Sequence, residues 1–139
     1  MSLEEKRAWI YTVVAVVVPA VYFAMILSQV PGADVTRIAY VRPLLTAVGV
    51  SIVLNVAATI VASILARDDI APKDERERQI DRHGEYVGFY VMSVASVVPL
   101  VLAMAEAPHF WIANALYLAF VLAALTSSIV KIVAYRRGL

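Results

Sequence analysis

Six residues able to take part in acid–base or metal chemistry fall within twelve positions: Asp74, Glu75, Glu77, Asp81, His83 and Glu85. Asp81 and Glu85 are four apart, which puts both carboxylates on one face of a helix. With His83, or with a second subunit, they could share a metal ion. Three arginines argue for a plainer reading. Arg76, Arg78 and Arg82 interleave with the acids, so eight of the twelve residues from Asp74 to Glu85 are charged. Asp74/Arg78 are four apart, while Glu75/Arg78, Arg78/Asp81 and Arg82/Glu85 are three apart, the spacings at which opposite charges support an exposed helix. We therefore expect a solvated, charge-paired helix, with His83 an interfacial polar residue rather than a ligand or base. No catalytic residue, metal site or cofactor is expected, and no glycine-rich phosphate loop, metal-ligand spacing or nucleophile elbow occurs elsewhere.

Other chemistries are excluded by residues the chain lacks or places badly. It has no cysteine, which removes disulfides, thiolate metal sites and cysteine nucleophiles. Its two histidines, His83 and His109, are expected at opposite membrane faces, so one chain cannot ligate a haem between them inside the membrane. No apolar segment carries an ionisable group near its centre, which weighs against a proton-coupled exporter. A net charge of +1, with basic residues interleaved among nearly as many acids, gives no case for nucleic acid.

The elements that must position these residues are apolar. Of the 139 residues 62% are hydrophobic, and mean hydropathy is +0.79. Four segments lack Asp, Glu, Lys and Arg: 8–33, 43–66, 86–105 and 108–130. Each reaches the roughly 20 residues that cross about 30 Å of hydrocarbon, where only helices satisfy the backbone of such segments. The expected fold is all-α, an integral membrane bundle of four transmembrane helices spanning about 8–29, 43–66, 85–106 and 109–134. The first apolar run is longer than a usual signal-peptide core and reads as a retained helix. Ten Lys and Arg fall on one side of the threaded chain, leaving Arg37 and Arg42 on the other. The positive-inside rule then places both termini and the charged segment 67–85 in the cytoplasm of a bacterial inner membrane. The third helix, starting near Pro72 or Asp74, projects from the bilayer.

Within the spans, Ser51, Asn55, Thr59 and Ser63 recur every four residues and form a polar stripe on the second helix. It reads either as interhelical packing by small and hydroxyl residues or as the lining of a polar pathway. Gly84 and Gly88 form a small-xxx-small pair suited to close helix packing. Pro19 should bend the first helix, Pro43 opens the second, and Pro99 lies deep in the third span. Lys131 should snorkel to the boundary, with pairing to the acidic segment as the alternative. Residues 14–21, VAVVVPAV, and 94–101, VASVVPLV, match at six of eight positions, either a parallel repeat of helical hairpins or a coincidence of valine-rich sequence.

Over Lys73 to Met92, KDERERQIDRHGEYVGFYVM, the chain resembles small uncharacterised bacterial membrane proteins with four spans and an Asp-Glu-Arg-Glu stretch before the third, the domain-of-unknown-function family numbered 2178. That resemblance implies the same inner-membrane topology and brings no catalytic residues. The functional expectation is a non-enzymatic protein embedded in the lipid bilayer that associates with itself as a homo-oligomer or with a membrane protein partner. Its contact surface is Asp74, Glu75, Arg76, Glu77, Arg78, Asp81, Arg82, His83 and Glu85. The alternative is a small transporter or channel, formed by a homo-oligomer around the stripe on the second helix.

Overall fold

A computed structural model of the chain describes residues 3–32, 34–65 and 75–137. Asp74 and the whole connector before it, residues 66–73 with Pro72, lie outside the described residues, as do Met1, Ser2, Ala33, Gly138 and Leu139. The described chain is all-helical: α1 (Leu3–Leu27), α2 (Val41–Leu65), α3 (Glu75–Ala95), α4 (Val97–Met104) and α5 (His109–Arg137). Four stretches, Glu5–Gly32, Val41–Ile64, Glu75–Met104 and His109–Arg137, are long and apolar enough to cross a membrane, α3 and α4 together forming one of them. Helix α1 begins earlier than the uncharged run, so Glu5 and Arg7 belong to the helix rather than to a lead before it.

Two prolines in similar octapeptides have different consequences. Helix α1 runs unbroken through Pro19, whereas the third span is interrupted at Ser96, three residues before Pro99. Proline has no N–H to donate and its ring crowds the carbonyl four residues back, here that of Ala95. The Ser96 hydroxyl donates to the Met92 carbonyl at 2.6 Å, offering that carbonyl a side-chain partner beside the break. The connection from α4 to α5 is tight. Glu106 takes φ 57°, the Glu106 N–H reaches the Ala103 carbonyl, and the Ala107 N–H reaches that of Leu102. This is a Schellman closure built on glutamate, a residue that adopts the left-handed region far less readily than glycine.

Helix α5 is the hub, packed against α3, α4 and α1, while α2 has substantial contact with α1 alone among the described helices. The helices therefore follow the order α2, α1, α5, α3 across the bundle. The buried core sits at the end opposite the charged start of α3, where Tyr22, Ile26, Ile38, Ala47 and Phe110 cluster. Tyr22 stacks edge-on with Phe23 and Tyr117, and Tyr40 with Phe110. Such contacts contribute about 0.5–1.5 kcal/mol each beyond area burial. The connection from α1 to α2 holds two turns, Val30–Gly32 and Val35–Arg37, and packs on this cluster through Val30 and Ile38. There the Asp34 carboxylate accepts the Thr36 N–H at 3.0 Å, an Asx turn that holds its carboxyl below the usual range.

Candidate functional site

At the charged end, the first turns of α3 are divided into two faces. Ile80 and Gly84 are buried against the bundle. Arg76 Nη2 donates to the Ala134 carbonyl at 3.3 Å and the Tyr135 carbonyl at 3.2 Å, and the guanidinium lies 5.9 Å from the Tyr135 ring. Those carbonyls belong to the last described turn of α5, so the arginine places a cation at the negative end of that helix. Lys131 Nζ meets Glu85 Oε1 at 2.8 Å. Glu5, buried, pairs with Arg136 at 3.4 Å, and Arg136 lies 6.0 Å over Trp9. These contacts tie α1, α3 and α5 together at one level.

The opposite face of α3 carries Glu75, Arg78, Arg82 and His83 in the open, with Tyr86, Phe89 and Tyr90 exposed further along. The Tyr86 and Tyr90 rings are 4.8 Å apart and their hydroxyls 3.0 Å apart. Glu77 and Asp81 are half-buried. Of the acidic–basic set singled out from sequence, Arg76 and Glu85 are thus turned to α5, and Glu75, Arg78, Arg82 and His83 face away. Asp74 falls outside the described residues. Among the described residues no group of three or more His, Asp or Glu could hold a metal ion.

Gly84 and Gly88 mark where α3 and α5 come closest. A Cβ built at Gly88 would stand 3.1 Å from Ser127 Cβ and 3.3 Å from the Ala123 carbonyl oxygen, and one at Gly84 would strike the Lys131 stem at 2.6 Å. The lysine therefore lies along the glycine and ends on Glu85, the pairing alternative rather than simple snorkelling.

Because α2 does not close onto α3, a cleft of about 1110 Å³ opens between them, floored by α1 and α5. Its charged end holds Arg7, Asp81, Glu85 and Lys131; further in come Ser51, Asn55 and Ser127, with Tyr11, Phe89, Met92, Tyr117 and Phe120 as apolar walls. Of the stripe on α2, Ser51 and Asn55 line the cleft. Thr59 and Ser63 are half-buried outside it. The Asn55 Oδ1 and Thr59 Oγ1 atoms are enclosed without a hydrogen-bond partner. Elsewhere, hydroxyls close onto their own helix: Thr12, Ser93, Ser96 and Thr126 each donate to the carbonyl four residues back at 2.6–2.8 Å.

One polar residue was passed over in the sequence. Asn114, buried in α5, accepts from the Tyr22 hydroxyl and donates Nδ2 to the Phe110 carbonyl at 2.7 Å. It joins α1 to α5. An asparagine inside an otherwise apolar run was its only signal, the same signal that marked Asn55.

No family model, curated protein or solved structure matches this chain.

Proposed function

We propose that this is a non-enzymatic multi-pass protein of a bacterial inner membrane, both termini and the charged end cytoplasmic, that works by association. It joins copies of itself or serves as an accessory subunit of a larger membrane assembly. The resemblance of residues 73–92 to the family numbered 2178 belongs with this reading. One observation carries it: the two-faced start of α3. The inner face is fixed on α5 through Arg76, Ile80, Gly84 and Glu85, so the outer charges Glu75, Arg78 and Arg82, with His83 beside them, stand on a positioned element rather than a loose tail. Fixed charges of both signs select partners by complementarity and steer encounter more than they raise affinity.

The test is Arg78→Glu together with Arg82→Glu, followed by native mass spectrometry and partner recovery from gently solubilised membranes. Oligomer or partner occupancy should fall from stoichiometric to nearly none. Thermal stability should stay within about 0.5 kcal/mol, as for exposed positions away from packed groups. Unchanged assembly would overturn the proposal. A second reading, a transporter or channel formed by a homo-oligomer, rests on Ser51 and Asn55 lining the cleft. Four helices are few for a complete pathway, so this reading needs several copies. Flux in vesicles that drops on Asn55→Leu would favour it.

A further inference from the structure

The cleft between α2 and α3 has a chemical gradient along its length. Its charged end sums to zero, two cations (Arg7, Lys131) against two anions (Asp81, Glu85). Half-way in, Ser51, Asn55 and Ser127 bring side-chain donors, and among the described residues neither serine hydroxyl makes a hydrogen bond. The remaining walls are apolar and aromatic. At about 1110 Å³ the space reaches the upper end, roughly 1000 Å³, of sites for drug-sized molecules. It lies between α2 and α3, which make no substantial contact with each other.

We propose that this cleft binds one membrane phospholipid with a zwitterionic headgroup. The charges argue for that occupant. Lys131 and Glu85 already pair with each other at the mouth, so the side chains there balance without a ligand, and a headgroup carrying both a phosphate and an ammonium can lie against Arg7, Lys131, Asp81 and Glu85 without adding net charge. A headgroup of single charge would leave a surplus at the edge of a low-dielectric region, where uncompensated charge is costly. Glycerol esters accept hydrogen bonds and donate none, which suits the hydroxyls of Ser51 and Ser127 and the amide N–H of Asn55. Its two acyl chains then run along the apolar wall of Tyr11, Phe89, Met92 and Phe120. None of Glu75, Arg78, Arg82 and His83 lines the cleft, so its success or failure does not decide the association reading.

The full chain, stripped of lipid in detergent, is returned to nanodiscs holding equal amounts of phosphatidylethanolamine and phosphatidylglycerol, re-extracted, and weighed by native mass spectrometry. One phosphatidylethanolamine per chain should be retained, with a preference over phosphatidylglycerol of about fivefold. Ala124→Phe, which fills the cleft from α5, should cut retention about tenfold with helix content unchanged. Ser51→Leu, on the opposite wall, gives the same reading should the first variant fold poorly. Arg78→Glu with Arg82→Glu should leave retention as it was. Absence of a one-to-one lipid, preference for the anionic lipid, retention undiminished in both cleft-filling variants, or a second copy of the chain present in place of lipid would each overturn the proposal.

Discussion

Asn114 and Asn55 are the same side chain in two apolar helices, yet the molecule treats them in opposite ways. Asn114 is buried where α1 meets α5, with its carbonyl oxygen accepting from Tyr22 and its amide donating to Phe110. Asn55 stands on the wall of a cleft, and its enclosed Oδ1 has no donor. The helices around them differ in the same sense: 22% of the apolar window of α5 is buried within the chain, against 6% for α2. A satisfied asparagine in a closed contact holds helices together. An unsatisfied one beside open space marks where the chain's own packing ends and something else has to begin.

The closest part of the α3/α5 contact gives the largest test of that contrast. At Gly88 a side chain would press on Ser127 and on the Ala123 backbone, so Gly88→Leu should force α3 away from α5 at about 1–3 kcal/mol, the usual cost of overpacking. Gly49 in α2 has nothing within 4 Å of an added Cβ, and Gly49→Ala should be neutral or stabilise by up to about 1 kcal/mol through helix propensity. Thermal melts of both variants in one detergent check the pair. Equal destabilisation would mean that α2 is packed as closely as α3.

The asparagines themselves give the next effect. Asn114→Leu removes both bonds and leaves the Tyr22 hydroxyl buried without its acceptor, at about 1–2 kcal/mol. Asn55→Leu removes an acceptor that has no donor, so the isolated chain should lose nothing and its melting temperature should hold or rise. A fall as large as that of Asn114→Leu would show that Asn55 is already satisfied and erase the contrast.

The helix count was legible in the sequence because uncharged runs of twenty residues have few other folds. Arrangement was not. Transmembrane helices are apolar on every side, so the pattern that reveals the buried face of a soluble helix is missing, and nothing in α2 announced that, among the described helices, its one substantial contact would be with α1. Spacing rules brought Gly84 and Gly88 to notice, but not the Lys131 stem lying across the first of them. The break at Ser96 was equally hidden, since VAVVVPAV and VASVVPLV carry the same proline and only the second is interrupted. The charged stretch was plain as a helix, whereas its division into a docked face and an open one depends on where the end of α5 falls, beyond the reach of local spacing.

Lys131 spans both regions and gives the smallest and most discriminating test. Its methylenes lie over Gly84 in the α3/α5 contact, while its ammonium reaches Glu85 at the mouth of the cleft. The lysine side chain is 20% exposed and the glutamate 74%, so solvent screens the pair and holds it to about 1 kcal/mol or less. Lys131→Met keeps an unbranched stem and deletes the charge; Lys131→Ala deletes both. If the stem does the packing, the methionine variant should melt within about 1 kcal/mol of the parent and the alanine variant distinctly lower. Equal losses would assign the contribution to the ion pair instead. The methionine variant also leaves the cleft mouth with one cation against two anions, so retained lipid should fall, phosphatidylglycerol further than phosphatidylethanolamine, while the fold does not change.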